Sequence, residues 1–250
     1  MGIKLSIITP SYNHGKFIRQ TIESVLKQDY PDYEHIIIDG GSTDNTIDIL
    51  KEYPHLNWIS ERDTGAANAI NKGISIASGE ILAWLNSDDY YERNIFLKIV
   101  KAFELDNSVG LVYGNLTYIS ENGEIIRKEK TNIYDYNNLV KNSPDLIRQP
   151  CSFFRKSILD EIGELDESLK CVFDYDLILK ILKITDAYYL DTNLTYYRDY
   201  MNTLTRKFIR KQGFEILKVA RKNGASISDR IFAKTIIKKI LLPGIFVKSQ

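Results

Sequence analysis

The segment Lys4-Leu-Ser-Ile-Ile-Thr-Pro-Ser-Tyr-Asn13 decides the fold class, because a β-branched apolar run stops at Pro10 and a polar loop follows it. Apolar residues then recur at helical spacing, and the same order of strand and helix returns three more times. Strand patterns cover 4–9, 35–39, 57–61 and 80–85, and helix patterns cover 17–26, 44–52, 66–76 and 94–105. Four such units predict an α/β fold with a mostly parallel central sheet and helices on both faces.

Three polar clusters follow predicted strands, over 10–13, 39–44 and 86–89. Ligands of such sheets bind beyond the carboxyl ends of the strands, where these clusters are expected. The carboxylates in 86–89 are hard oxygen ligands that suit Mg²⁺ or Mn²⁺. The glycines in 39–44 admit backbone N–H groups close to a nucleotide. Each cluster also fits an ordinary turn or helix cap, and His14 is either a general base or polar surface.

After residue 109 the pattern becomes mixed α+β. A long strand over 110–120, a hairpin turn and a return strand are followed by two helices and two short tyrosine-rich strands. The helices cover 157–162 and 174–184, and the short strands cover 188–189 and 196–197. We expect one unit over 1–205, made of an α/β half (1–109) and a mixed half (110–205), and a helical appendage over 206–250.

Composition excludes several classes of protein. Basic and acidic side chains number 33 each, so the chain lacks the positive balance of a nucleic-acid binder. Hydrophobic residues make up 44% of the chain, which excludes a disordered protein. Two cysteines without metal-type spacing indicate a reducing compartment, and no apolar stretch has the length of a membrane span. We therefore expect a cytoplasmic protein.

The appendage over 206–250 is strongly basic. It holds 12 Lys and Arg residues against 2 acidic ones, a local charge of about +10 that offsets about −10 on the rest of the chain. Arg230, Lys234 and Lys238 share one helical face, Phe232, Ile236 and Ile240 share the opposite one, and an apolar run over 241–247 follows. Such a segment either anchors at the anionic inner face of a membrane or packs its apolar side on protein, and both interpretations stay open.

Together the motifs resemble glycosyltransferase family 2. The residues that carry the resemblance are Thr9-Pro-Ser-Tyr-Asn13, Ser24-Val-Leu-x-Gln28, Ile38-Asp-Gly-Gly-Ser-Thr-Asp-Asn-Thr46, Gly65, Asn71-Lys-Gly-Ile74 and Gly79-Glu-x-x-Ala-Trp-Leu-Asn-Ser-Asp-Asp89. The likeness is strong over 3–110 and weaker over 145–200. It implies a GT-A fold, with a catalytic domain made of a nucleotide-sugar-binding half (1–109) and an acceptor-binding half (110–205). It also implies inverting transfer of a sugar, usually from a UDP- or dTDP-linked donor, with a UDP-sugar favoured.

The resemblance also implies roles for single residues. Asp174 takes the position of the general base, with Asp176 as the second candidate, and Asp88 would hold Mg²⁺ or Mn²⁺. Asp39 would contact the nucleotide base. The nucleotide-sugar-binding residues are Thr9, Pro10, Tyr12, Asn13, Asp39, Gly41, Asn68, Asn86, Ser87 and Gln149.

Three positions depart from the family pattern. Asn86 replaces the first carboxylate of Asp-x-Asp, Phe173 replaces an acidic neighbour of the base, and Tyr200 stands where relatives carry a late histidine. We expect an enzyme that glycosylates a hydroxyl of a glycan or lipid-diphosphate saccharide in cell-surface polysaccharide synthesis, such as O-antigen synthesis, at the inner face of the membrane. The alternative is a weakly active or inactive nucleotide-sugar-binding scaffold, which the missing carboxylate favours.

Overall fold

One nine-stranded sheet organises the computed structural model, which describes residues 2–201 and 203–241. The strands are β1 (Leu5–Ser11), β2 (Tyr33–Asp39), β3 (Asn57–Ser60), β4 (Ile81–Trp84), β5 (Tyr90–Tyr91), β6 (Val109–Ile119), β7 (Ile125–Glu129), β8 (Ser152–Arg155) and β9 (Asp186–Arg198). The α-helices are α1 (Ile18–Leu26), α2 (Thr46–Lys51), α3 (Ala66–Ile76), α4 (Phe96–Leu105), α5 (Tyr136–Lys141), α6 (Lys156–Ile162), α7 (Phe173–Leu182), α8 (Leu204–Lys207), α9 (Ile209–Lys222) and α10 (Arg230–Thr235). Short 3₁₀ turns cover Pro144–Leu146 and Gln149–Cys151, and a π-helical segment, Ile236–Leu241, continues α10.

The strand order is β3-β2-β1-β4-β8-β6-β9-β5, with β7 paired to β6. β1, β2, β3 and β4 are parallel to one another, as the sequence predicts. β8 is antiparallel to both β4 and β6, and so joins the two halves in one sheet. The α/β fold class is therefore confirmed, with a mixed second half.

β1 and β4 lie close together because Gly79 precedes β4. A Cβ at Gly79 would lie 2.7 Å from the backbone nitrogen of Ser6 and 2.8 Å from the carbonyl carbon of Leu5. Backbone atoms cannot yield as a flexible side chain can, so only glycine fits there. This close approach lies at the amino ends of β1 and β4, which pair in parallel.

Helices cover both faces of the sheet, because alternate residues of a strand face opposite sides. On one face, Ile8, Ile36 and Ile38 pack with α3 and α7. On the other, Leu5, Ile7, Ile81 and Ala83 pack with α4, and Ile37 packs with α1 and α2. The predicted arrangement of helices on both faces is confirmed.

The described part of the appendage packs on the rest of the protein. Ile216, Val219, Ile231 and Phe232 are buried in the same core as α3 and α7. Of the two interpretations of its apolar face, packing on protein is the one found for Phe232, while Ile236 and Ile240 are half-buried. Residues 242–247 of the predicted apolar run lie outside the described residues. Within 2–201 and 203–241, no helix combines the length and the apolar character that crossing a bilayer requires.

The second half departs from prediction in its details. The two short strands expected over 188–189 and 196–197 are parts of one strand, β9, whose register against β6 shifts several times. Such irregularities add residues without ending a strand, which conceals the length of the strand in the sequence pattern. The sequence also did not reveal β5, β8 and α5.

Candidate active site

The loops that follow β1 and β2 are tied to each other at the carboxyl ends of these strands. Asn13 has a positive φ of 52°, and its side-chain oxygen accepts a hydrogen bond of 2.8 Å from the Thr43 N–H. In return, the Asn13 N–H donates to Ser42 Oγ at 2.8 Å. Asparagine tolerates this left-handed conformation better than most residues. Asn13 therefore joins two predicted binding loops into one surface.

Tyr12 is an exposed member of the predicted nucleotide contacts. Its side chain is 60% exposed, and its ring lies against the second loop: a Cβ at Gly40 would be 3.4 Å from Tyr12 Cδ2. Pro10 is half-buried beside it, and Gly41 has a φ of 82°, which favours glycine. The exposed aromatic face is a surface on which a planar nucleotide base can stack.

Asp39 ends β2 and is fully buried. One carboxylate oxygen accepts hydrogen bonds from the N–H groups of Gly41 (3.0 Å) and Ser42 (2.8 Å) and from Ser60 Oγ (2.7 Å). The other accepts from the Ser42 hydroxyl. Asp39 thus holds its loop in shape, and a contact with a base would require a change in these bonds.

Thr9 lies beneath the loop surface and not on it. It is fully buried, and a hydrogen bond of 2.9 Å joins Thr9 Oγ1 to His35 Nε2. Burial lowers the pKa of His35 to about 3, so the imidazole is neutral at physiological pH. Through His35, Thr9 ties the end of β1 to β2.

The segment 86–89 follows β4 and contacts the first loop. Ser87 is buried, and its hydroxyl hydrogen-bonds His14 Nδ1. The amide of Asn86 donates to the Asp89 carboxylate at 3.1 Å. Burial raises the pKa of Asp89 well above its usual range, and the charge of Asp88 adds to this rise. His14 therefore orients Ser87, while Asp89 is an interior group.

Asp88 is the partly accessible carboxylate of this segment, and residues after β9 contact it. Tyr200 donates its hydroxyl proton to Asp88 Oδ2 at 3.1 Å, and Arg198 Nε donates to the Asp88 carbonyl oxygen at 2.9 Å. Burial raises the pKa of Tyr200, and the charge of Asp88 raises it further, so the phenol remains a donor. The sequence marked Tyr200 only as a departure from the family pattern, without this contact.

Gln149 and Asn68 lie in two different settings, and Phe173, the first residue of α7, shares a crevice with Asn68. Gln149 is buried, and its amide donates to the Trp84 carbonyl oxygen at 2.6 Å, while the Trp84 ring lies 6.4 Å from that of Phe173. Asn68 donates to Glu167 Oε1 at 3.0 Å. Asn68, Glu167 and Phe173 line one small crevice. The sequence did not single out Glu167, which orients the Asn68 amide.

Asp174 lies in the first turn of α7 and remains partly accessible to solvent, although protein atoms surround its carboxylate. Burial raises the pKa of Asp174 to about 6; a hydrogen bond of 2.8 Å from the Tyr175 N–H opposes the rise, and the charge of Asp145 adds to it. A carboxylate with a pKa near the working pH is an effective general base. Asp176, in contrast, is buried and lies 3.0 Å from Lys180 Nζ, so an acceptor cannot reach it.

Asp145 and Arg148 are two further charged residues that act on Asp174, and the sequence did not reveal them. Arg148 Nη1 lies 3.1 Å from Asp145 Oδ1, and Arg148 Nε donates to Glu129 Oε1 at 3.1 Å. Both residues affect the pKa of Asp174, Asp145 by raising it and Arg148 by lowering it. Their charges come from a loop without a recognisable motif, so only the fold brings them to Asp174.

A family model for glycosyl transferase family 2 matches residues 6–163, more than half of the chain. The chain belongs to glycosyltransferase family 2. This match covers the loops after β1 and β2, the segment 86–89 and Gln149. Asp174 lies beyond its end.

Curated relatives of this family 2 chain come from several bacteria. An uncharacterized glycosyltransferase of Rickettsia typhi is 34% identical over 197 residues, covering 74% of this chain and 60% of the relative. The chondroitin synthase of Escherichia coli is 30% identical over 186 residues, covering 72% of this chain and 26% of the relative. The chain thus spans between about a quarter and three fifths of the length of these two relatives.

Solved structures share the fold of this glycosyltransferase-family chain. S. aureus TarS 1-349 in complex with UDP-GlcNAc has a TM-score of 0.73 at 20% identity, covering 99% of this chain and 76% of that one. The mannosyltransferase PcManGT from Pyrobaculum calidifontis, in complex with GDP-Man and Mn²⁺, has a TM-score of 0.67 at 17% identity, covering 95% and 70%. The GT-A fold that the resemblance implies is confirmed.

The acidic residues near Asp88 suit a cation that is bound partly by protein oxygens and partly by a bound substrate. They do not suit a cation held by protein side chains alone. Among the described residues, no three His, Cys, Asp or Glu side chains form a metal-binding group. Asp89 is buried and accepts from the Arg198 N–H at 2.8 Å, which leaves Asp88 as the available carboxylate. Mg²⁺ commonly binds through one or two carboxylates together with substrate phosphates.

Proposed function

We propose that this family 2 chain is an inverting glycosyltransferase that moves a sugar from a nucleotide-sugar donor, most favourably a UDP-sugar, to a hydroxyl of a saccharide acceptor. The observation that carries the proposal is Asp174, a partly accessible carboxylate with a pKa of about 6 in the first turn of α7, directly after Phe173. The exposed ring of Tyr12 and the loops around Asn13 and Gly41 are proposed to bind the nucleotide.

The chemistry requires one proton transfer at Asp174. The acceptor hydroxyl attacks the anomeric carbon, the bond to the nucleoside diphosphate breaks, and the Asp174 carboxylate takes the hydroxyl proton. Single displacement inverts the anomeric carbon. A carboxylate of pKa about 6 is mostly ionised at pH 7 and is a stronger base than an ordinary aspartate. The surroundings of Asp174 therefore suit this step.

Asp88 is proposed to hold Mg²⁺ or Mn²⁺, with Asn86 as a second oxygen ligand. When bound, the cation neutralises the charge that develops on the leaving diphosphate. PcManGT, a protein of the same fold, is in complex with Mn²⁺, and this is consistent with the assignment. Tyr200, which donates to Asp88 Oδ2, is proposed to compete with the cation for that oxygen.

The relatives favour a role in polysaccharide synthesis. Chondroitin synthase is named for a polysaccharide, and the TarS structure contains UDP-GlcNAc. We propose on this basis that the acceptor is a growing glycan or a lipid-diphosphate saccharide. Cytoplasmic location, peripheral association with the inner face of a membrane and the division at residues 109 and 205 stay predictions.

The test combines donor binding with turnover. UDP-, dTDP- and GDP-sugars are titrated into the protein, and release of free nucleotide is then followed with saccharide acceptors. Asp174→Asn should abolish turnover while donor binding persists, and Asp160→Asn, which changes a surface carboxylate paired with Lys156, should leave both unchanged. Failure to bind any nucleotide sugar would overturn the proposal.

One observation favours a second candidate, a nucleotide-sugar-binding scaffold without turnover. Asn86 uses its amide to bind Asp89, and Tyr200 hydrogen-bonds the remaining carboxylate, Asp88, so the metal site is weaker than a pair of aspartates. Donor binding without turnover in the unmodified protein, with Mn²⁺ present, would support the scaffold.

A further inference from the structure

The exposed face of α9 is formed almost entirely by cationic side chains. Its exposed residues are Arg210, Lys211, Phe214, Lys218, Arg221 and Lys222. Because an α-helix has about 3.6 residues per turn, these six side chains fall within about one third of the helix circumference. Glu215, the acidic residue of α9, is buried. We call the six exposed residues the α9 face.

The other side of α9 is fixed to the body of the protein. Ile216 and Val219 are buried in the same core as α3 and α7. The Glu215 carboxylate accepts hydrogen bonds from the N–H groups of Lys170 (3.1 Å) and Cys171 (2.8 Å), just before α7 begins. These contacts hold α9 in one orientation about its own axis, with the α9 face directed to solvent.

Exposed lysines on other helices of this protein are paired with carboxylates one turn away. On α1, Lys27 Nζ lies 2.6 Å from Glu23 Oε2, and on α6, Lys156 Nζ lies 2.7 Å from Asp160 Oδ1. An ordinary solvated helix face mixes the two signs of charge in this way. The exposed surfaces of α1 and α6 are therefore of the ordinary kind.

The α9 face is not neutralised in this way. Lys211 Nζ lies 4.0 Å from Glu215, whose carboxylate already accepts two backbone N–H groups. Within the part of the chain that the structure describes, no ion pair forms at the other four cations, Arg210, Lys218, Arg221 and Lys222. Like charges one turn apart, such as Lys218 and Lys222, repel each other on a helix. An anionic surface outside the protein would relieve this repulsion.

Phe214 lies at the centre of the α9 face. Its side chain is 61% exposed, with Arg210 one turn before it and Lys218 one turn after it. Helices that lie on an anionic bilayer combine these features, because their cations contact lipid phosphates while an apolar ring enters the headgroup region. Phe214 therefore favours a lipid surface over a purely polar anion.

The charge of the rest of the chain argues against a nucleic acid at this face. Outside 206–250, acidic residues outnumber basic ones, so a polyanion that extends beyond α9 is repelled by the rest of the chain. The cationic surface is one helix wide and about 20 Å long. A bilayer can engage this single helix.

We infer that the α9 face binds the surface of an anionic lipid bilayer, with α9 parallel to the membrane plane and Phe214 in the headgroup region. The sequence pattern pointed instead to Arg230 and Lys234, which lie on α10, a helix of six residues. The inference goes beyond the proposed function and does not depend on it. Asp174→Asn should bind vesicles as the unmodified protein does.

The first test removes charge from the α9 face. Flotation of the full chain is measured with vesicles of phosphatidylcholine alone and of phosphatidylcholine with an equal amount of phosphatidylglycerol. The charge variant is Arg210→Gln, Lys218→Gln, Arg221→Gln. The matched control, Lys98→Gln, Lys101→Gln, Lys128→Gln, removes the same charge from exposed positions on α4 and β7.

We expect binding to the phosphatidylglycerol vesicles and not to phosphatidylcholine alone. Each cation beside an anionic leaflet contributes about five-fold to binding, so the charge variant should bind about a hundred-fold more weakly. The control variant should bind as the unmodified protein does. Raising the salt concentration from about 0.1 M to about 1 M should release the protein, because salt screens these charges.

The second test removes the ring. Phe214→Gln should weaken vesicle binding by about ten-fold through the loss of apolar contact. Leu105→Gln, at an exposed apolar position on α4, is its control and should bind as the unmodified protein does. Both positions are exposed, and a thermal melt shows that each variant is folded.

Four outcomes overturn the inference. They are failure of the unmodified protein to bind either kind of vesicle, equal binding to both kinds, unchanged binding by the folded charge variant, and an equal loss in its matched control. A single-stranded oligonucleotide of twenty thymidines is tested in parallel. If the charge variant loses oligonucleotide binding alone, the α9 face serves a nucleic acid and the inference fails. Binding of nucleotide sugars is measured separately, so that failure of the proposed function is recognised independently.

Discussion

The Glu215 carboxylate accepts a hydrogen bond of 2.8 Å from the backbone N–H of Cys171, three residues before Asp174. The same carboxylate accepts from the Lys170 N–H. One buried side chain of the appendage therefore fixes the entry to the helix that carries the proposed base. The stability of the protein and the activity of its proposed site should both depend on this bond.

Replacing Glu215 should destabilise the protein and impair turnover together. Glu215→Ala leaves two backbone donors without their acceptor, which costs about 1–3 kcal/mol for a buried polar group. Glu215→Gln keeps an acceptor oxygen and should cost less. Chemical denaturation gives the free energy of unfolding, and Glu104→Gln on the exposed side of α4 is the control. Equal stability of Glu215→Ala and the unmodified protein would contradict the docking role.

Turnover should decline as the pH falls through about 6. The base acts in its ionised form, and the raised pKa of Asp174 means that protonation begins near neutrality. Below pH 6, kcat/KM should fall by about ten-fold per pH unit. A profile of kcat/KM between pH 5 and 8 measures this limb. A limb centred near pH 4 would instead indicate an ordinary carboxylate.

Asp174→Asn should stabilise the protein at pH 7. In the folded state the pKa of Asp174 is about 6, above the value of about 4 in the unfolded chain, so ionisation at pH 7 disfavours folding. The amide removes a cost of about 1–2 kcal/mol, allowing for partial solvent access. Unfolding curves of both proteins at pH 7 and pH 4 measure it, and the difference should shrink at pH 4. A variant less stable at pH 7 would contradict this account.

Acidification should destabilise the protein through His35. Its folded pKa is about 3 and its unfolded pKa about 6.5, so the unfolded chain takes up the proton first as the pH falls. Between pH 7.5 and pH 5 this costs about 2 kcal/mol of folding free energy. Urea denaturation of His35→Gln should show a smaller loss over the same range by about that amount. Protonation of Asp174 changes the free energy of unfolding in the opposite direction. Because this change is the same in both proteins, it cancels in the comparison.

Tyr200→Phe should strengthen cation binding at Asp88. The tyrosine hydroxyl donates to Asp88 Oδ2 at 3.1 Å, and a cation at the same oxygen must displace it. Loss of one hydrogen bond of about 0.5–1.5 kcal/mol should lower the half-saturating Mn²⁺ concentration by about two- to ten-fold. Water-proton relaxation in the presence of UDP reports bound Mn²⁺. Tyr196→Phe, whose hydroxyl bonds Glu92 at 2.7 Å, is the control.

The sequence predicts the first half of the fold well, because each of its strands is a short apolar run followed by a polar loop. The spacing of the apolar residues and the turn residues that bound each run determine such elements locally. The tyrosine-rich strands of the second half are less predictable, since β9 is interrupted by shifts in register against β6. The position of β8 between β4 and β6 likewise could not be predicted from the sequence, because a strand of four residues is too short to show a recognisable periodicity.

The same limit applies to the candidate site. Asp88, Asn13 and Asp174 lie in recognisable motifs, and the structure joins the loop that carries Asn13 to the loop after β2 and to the segment 86–89. Asp145 has no motif, and its influence on Asp174 depends on a distance that only the fold sets. The amphipathic pattern around Phe232 showed an apolar face but not what covers it, and that face packs into the protein core.

The position of β8 has a practical consequence for dissecting this protein. β8 covers the edge of β4, and β9 pairs with β5, so strands from beyond residue 110 complete the sheet of the first half. A fragment ending at residue 109 would present β4 as a bare edge of four apolar residues, Ile81–Trp84. Exposed edges of this kind recruit other chains. Donor binding is therefore best studied in the intact chain, since the isolated half is expected to aggregate on expression.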